Sequence, residues 1–169
     1  MLLAALLLQA TAPGAADPIA PAFRGQLECH FPDVAKKSCR SLAGYARTTD
    51  GKIMNSATIL LAPNPLVLMR SVAPVEVKGG AVCGVILQAD IDSATFTIAG
   101  QPADETRTRT LRQAVAAAFA SALNHEICTT YVADGDGLKV AGSIDGVRRP
   151  ELDQPVRWVS PSEGYAVQP

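Results

Sequence analysis

Four cysteines constrain this chain more than any other feature: Cys29, Cys39, Cys83 and Cys128. An even count behind an export signal reads as two disulfides. The signal is carried by residues 2–10, an unbroken apolar run from Leu2 to Ala10 apart from Gln9. A membrane-spanning helix needs about 20 such residues. A run this short suits the apolar region of a secretory signal. Small residues follow at Ala12, Gly14, Ala15 and Ala16. Pro13 obstructs cleavage after Ala12, so cleavage is expected after Ala16, leaving Asp17 first. No Lys or Arg precedes the run, a departure from the usual signal pattern. The next apolar stretch, Ile59 to Met69, is broken by Pro63 and Pro65, so no span is expected in the mature chain. The expected organisation is a signal at 1–16, an extended leader at 17–23 and one disulfide-stapled domain at 24–169.

Four cysteines allow three pairings. Phe31-Pro32-Asp33 breaks the chain between Cys29 and Cys39, so a reversal can bring these two together. Cys83 and Cys128 then remain for each other. A metal site built from Cys29, His30 and Cys39 is the rival reading. It lacks any CxxC pair, and the chain has only two histidines.

At 48% hydrophobic and 18% charged residues, the chain has too much apolar material and too little charge for disorder. Its 169 residues suit one domain. Fifteen basic against sixteen acidic side chains leave no basic footprint, so no nucleic-acid partner is expected. Arg outnumbers Lys ten to five and alanine contributes 28 residues, a bias common in chains from GC-rich bacteria. The expected destination is therefore the periplasm or the exterior.

Strand signals run along most of the domain. Ser41–Ala46 and Ile53–Leu61 flank an Asp50-Gly51 turn. Leu66–Met69 and Val75–Lys78 read as two short strands separated by Pro74. Ala81–Leu87, Thr95–Ile98, Ile127–Val132, Leu138–Ile144 and a last strand opened by Pro155 complete the set. Thr97-Ile98-Ala99-Gly100 and Ser143-Ile144-Asp145-Gly146 read as two similar turns. One segment differs. Leu111, Val115, Ala118, Phe119, Ala122 and Leu123 recur at helical spacing, and Asp104 and Glu105 sit where a helix N-terminus favours negative charge. The expected helix covers about 104–124. The expected fold is α+β: a mainly antiparallel sheet of about 6–9 short strands with this one amphipathic helix packed across it.

Motifs that begin like catalytic or metal signatures fail at an essential position. His125-Glu126 starts a zinc-protease pattern, but Thr129 replaces the second histidine; a helix-end histidine is the plainer reading. Asp134-Gly135-Asp136-Gly137 starts a calcium loop, but Leu138 stands at the third ligand position, so a hairpin turn is expected. Gly142-Ser143-Ile144-Asp145-Gly146 misplaces the serine of a nucleophile elbow. His30 and His125 are the only side chains with a reference pKa suited to proton transfer near neutrality, and neither adjoins a nucleophile pattern. No catalytic, cofactor or metal residue is therefore assigned.

Arg107, Arg109 and Arg112 form one basic group, and Arg148 and Arg149 another, with Arg157 nearby in sequence. Were the two groups to meet, they could bind an anion through bidentate contacts. The expected function is an exported binding module for an envelope protein or glycan; a small hydrolase-like enzyme is the alternative. A cleft holding perturbed carboxylates or histidines would favour the enzyme. An apolar patch or open strand edge would favour binding. On the binding reading, His30 and His125 are expected to be dispensable.

Overall fold

The computed structural model describes residues 17–169. The signal and its cleavage point after Ala16 lie outside the described residues. Thirteen strands follow in chain order: β1 (Leu27–His30), β2 (Ser38–Cys39), β3 (Ser41–Arg47), β4 (Ile53–Pro63), β5 (Leu66–Lys78), β6 (Ala81–Val85), β7 (Thr95–Ile98), β8 (Gln101–Pro102), β9 (Glu126–Asp134), β10 (Gly137–Ile144), β11 (Val147–Arg148), β12 (Gln154–Val159) and β13 (Ala166–Val167). Two α-helices, α1 (Gln88–Ser93) and α2 (Glu105–Ala118), interrupt the series.

Eight strands close on themselves in the order β4-β3-β1-β12-β10-β9-β6-β5, with β5 returning to pair β4. The expected α+β fold is thus corrected to a mostly β protein, 51% strand and 19% helical, built on a closed eight-stranded barrel. Closure depends on two long strands. β4 and β5 run as one antiparallel hairpin, with the ladder shifted by a bulge between Leu60 and Ala62. A bulge bends a strand and tightens its twist, which helps a long hairpin curl. The two short strands expected around Pro74 are one strand, β5. It pairs β7 through Val67–Arg70 and β6 through Glu76–Lys78. Pro74 falls between these partners, where no ladder donor is required on that side.

Alternation along the strands sorts side chains into the barrel or out of it. Outward positions of β5, β10 and β12 carry Arg70, Glu76, Lys78, Lys139 and Arg157. A lipid-facing barrel instead presents an apolar band there. Among the described residues no helix is long and apolar enough to cross a membrane.

Both cysteine pairs form as the turn argument expected: Cys29–Cys39 and Cys83–Cys128. Cys29 and Cys39 sit outside the wall in an apolar cluster with Val159, Leu27, Leu42 and Tyr165. The small parallel sheet of β2 and β13 adjoins this cluster. Cys83 and Cys128 face each other directly across β6 and β9. Two oxidised pairs suit an oxidising compartment.

The helix is shorter than 104–124. Asp104 caps it, accepting a hydrogen bond from the Arg107 N–H, and it ends at Ala118. The stripe beyond, through Leu123, continues in turns that bring Leu123 to Ile86 of the barrel wall. The helix does not cross a sheet face. Val115 packs with Ile91 of α1 and with Met69 and Phe96, covering the part of β5 and β7 that extends past β6. Residues 17–23, expected as an extended leader, form a turn and begin a short 3-10 helix. Ile19 is 0% exposed and packs on Ile53 and Val82, with Tyr45, Tyr131 and Trp158 around them.

The two echoed turns are alike in conformation. Ala99-Gly100 and Asp145-Gly146 both place two successive residues at positive φ, the requirement of a tight hairpin turn. Gly142, part of the failed elbow motif, is glycine for a packing reason. A Cβ there would stand 2.5 Å from Leu152 Cβ. Gly142→Ala is expected to destabilise the fold by about 1–3 kcal/mol through overpacking. Urea unfolding measures it, and an unchanged midpoint would show that Leu152 simply moves aside.

Candidate functional site

The barrel interior is polar at one place. In Leu27-Glu28-Cys29-His30, the strand period sends Leu27 and Cys29 outward and Glu28 and His30 inward. Facing residues share this inner side: Ala43 and Trp158 opposite Glu28, and Ser41 and Val156 opposite His30. Glu28 is 2% exposed. Its carboxylate lies 3.3 Å from His30 Nε2 and accepts a 2.7 Å hydrogen bond from the Tyr45 hydroxyl. His30 Nδ1 is 3.0 Å from Gln154 Oε1. A doubly protonated imidazolium satisfies both oxygens. A neutral ring does so if the Gln154 amide turns over.

Burial alone would push the Glu28 carboxyl up. The hydrogen bond and charge of His30, with help from the Tyr45 and Tyr131 hydroxyls, outweigh burial and hold it below the ordinary glutamate range. Burial first, then the Glu28 charge, pushes the Tyr45 and Tyr131 hydroxyls far above the ordinary tyrosine value. Both therefore stay protonated. Tyr131 Oη is buried beside this group and has no well-formed hydrogen bond among the described residues. Trp158 stacks at a tilt on both tyrosines, with ring centroids 6.3 Å from Tyr45 and 5.8 Å from Tyr131.

Glu28, His30 and Tyr45 line a cavity of about 270 Å³. Ser41, Asn55 and Thr129 add polar groups, and Ala57, Val75, Val82 and Ile127 add apolar wall. An eight-stranded barrel is about the size that holds one small ligand. No Lys or Arg is among the lining residues.

The arginines lie elsewhere. Arg107 and Arg109, on α2, pair with Asp104 and Glu105, the latter as the i,i+4 spacing predicts. Arg112 donates to the Ala94 carbonyl. Arg148 pairs with Asp153 and donates to the Gly142 carbonyl, and Arg149 is exposed. The two groups thus occupy α2 and the β11 region, each arranged with local partners. His125 is not at a helix end. It lies beyond α2 and pairs with Asp145 at 2.5 Å, which lowers the Asp145 carboxyl. Asp134–Gly137 joins β9 to β10 as a hairpin turn. Cys83, Glu126 and Cys128 approach within 4.8 Å of one another, but both sulfurs belong to the disulfide, so they offer no thiolate to a metal.

Sequence reasoning missed Glu28. The available signal was the Glu-x-His spacing on a strand whose other face carries a disulfide cysteine. That parity places both polar side chains opposite the cysteine, but an open sheet would have sent them to water. The fold and cavity define a class: a closed, disulfide-stapled β-barrel with a buried carboxylate–histidine pair inside. Compared with protein-family models, curated proteins and solved structures, the chain shows no match.

Proposed function

We propose that this chain is an exported binding protein that takes a small molecule into its barrel, with the Glu28–His30 pair as the polar floor. The carrying observation is a buried carboxylate, held ionised, that lines a ligand-sized cavity. Buried charge is expensive unless it is paired and hydrogen-bonded, and a carboxylate can accept more bonds than the two contacts His30 and Tyr45 supply. Export is supported by the short apolar leader and the two disulfides.

A cavity with a carboxylate and a histidine also meets the criterion set for an enzyme. Ser41, opposite His30 in the ladder, would be the natural nucleophile. Two contacts argue against that chemistry. Both His30 nitrogens already face other oxygens, those of Glu28 and Gln154, so neither is directed to take a proton from Ser41. Binding is the reading these contacts favour. It reverses one expectation: His30, thought dispensable, becomes part of the site.

The test is a thermal-shift and fluorescence screen of the mature chain against small amines, amides, alcohols and carboxylates. Trp158 is the only tryptophan and adjoins the floor, so its emission reports binding. Hydrogen-bond donors found this way, amines first, are expected to lose at least about tenfold in affinity in Glu28→Gln, with folding checked by circular dichroism. Ligands that bind the variant equally, or a screen without any binder, would overturn the reading.

A further inference from the structure

The barrel wall is not sealed. β5 pairs β7 through Arg70 and rejoins the β6 ladder at Glu76, with Gly84 of β6 close against Pro74 and Val75, so the opening on that side lies at residues 71–73. Beyond this gap lies an apolar cleft of about 140 Å³, lined by Ile59, Met69, Ile91 and Phe119. Cleft and barrel cavity share Ala73, Val85 and Ile86 as lining residues, so the two spaces adjoin at the gap. Phe119 and Val85 remain 37% exposed there.

Several donors of the floor are already engaged. The Tyr45 hydroxyl donates to Glu28, the Thr129 hydroxyl to the Val82 carbonyl, and the Asn55 amide nitrogen faces the Gly44 carbonyl. His30 directs both nitrogens at oxygens. Ser41 and the nearby Tyr131 hydroxyl keep a donor each, but the acidic group the cavity offers is the Glu28 carboxylate. A cationic donor complements it; a second anion would meet Glu28 in a site without Lys or Arg.

We infer that the ligand is an amphiphilic amine, its ammonium head on the Glu28 carboxylate and its apolar tail passing between β5 and β6 into the cleft under α1 and Phe119. This rests on the barrel-binding reading above. The head replaces part of its water with Glu28 and the Asn55 and Tyr45 oxygens. The tail covers Ile59, Met69, Ile91 and Phe119, and α1 holds Ile91 buried beneath it. A polar head at a closed floor and an apolar exit in the wall together orient the molecule.

The experiment titrates the wild-type chain with n-butylamine, n-hexylamine and n-octylamine, and with the matching alcohols and carboxylates, all below micelle formation. Trp158 emission is the readout. Octylamine is expected to bind at least about tenfold tighter than octanol, and octanoate weakest. Each added methylene should tighten the amines up to about fourfold. Glu28→Gln should abolish the amine preference but keep the chain-length dependence. Phe119→Ser, at a partly exposed position, should flatten the chain-length dependence but keep the amine preference. Binding with amine preference but no length dependence would overturn the tail assignment. Tighter binding of alcohols or carboxylates would overturn the head assignment while leaving the barrel-binding reading intact. No response to any head group would overturn both.

Discussion

Glu28→Ala is expected to cost about 2–5 kcal/mol of unfolding free energy, because it strands two buried hydrogen-bond donors at about 1–3 kcal/mol each. The truncation removes the oxygen facing His30 Nε2 and the acceptor of the Tyr45 hydroxyl. Both groups lie in the barrel, His30 with only 17% of its side chain exposed. Glu28→Gln keeps the shape and the acceptor for Tyr45, so it should cost less. The pH dependence has a fixed sign. The folded Glu28 carboxyl titrates below its ordinary value of 4.5. A carboxyl lowered by folding stabilises the fold above its unfolded pKa and loses that contribution as pH falls through the folded value. The gap between wild type and Glu28→Gln should therefore be widest above pH about 4.5 and narrow on further acidification. Urea unfolding across this range measures both. A Glu28→Ala cost under about 1 kcal/mol, typical of an exposed pair, would mean the carboxylate is not buried in solution.

Removing the Cys83–Cys128 bridge is the second large perturbation. The bridge joins β6 to β9 and spans 45 positions of chain, including α1, β7, β8 and α2. In the chain-entropy account a loop of that length contributes about 4 kcal/mol. That is a large share of the roughly 5–15 kcal/mol that holds a domain together. The double variant Cys83→Ala with Cys128→Ala should lower the unfolding free energy by about this amount. It should also loosen β6 at the wall opening, so ligand binding should weaken before the chain unfolds. The corresponding change at Cys29 and Cys39 closes a shorter loop, worth about 3 kcal/mol. It lies outside the barrel and should leave binding intact at temperatures where the fold persists. Equal loss of binding in both variants would detach the opening from the ligand.

Local signals in the sequence were legible where local physics decides the outcome. The Asp50-Gly51 and Asp145-Gly146 turns and the Glu105–Arg109 pair all follow from nearest neighbours. So did the cysteine pairing, since a turn after Phe31 forces Cys39 back toward Cys29. Barrel closure was not legible. Whether β4 and β5 end as edges or meet around a barrel depends on curvature accumulated over eight strands, and no short window records that sum. The same gap hid the site. The strand Leu27–His30 was not among those expected, and only closure of the barrel turns Glu28, His30 and Asn55 toward one interior. The helix was overextended because its apolar period continues through Leu123, where the residues pack on the wall in turns instead.

Amide correlation spectra of isotope-labelled residues 17–169, recorded with and without a bound small molecule, test the central claim most directly. Binding inside the barrel predicts shifts concentrated at Glu28, His30, Tyr45, Asn55 and Thr129, whose side chains line one cavity from four different strands. Shifts confined to outward positions such as Arg70, Lys139 and Arg157, or to the arginines of α2, with the cavity residues unmoved, would contradict it.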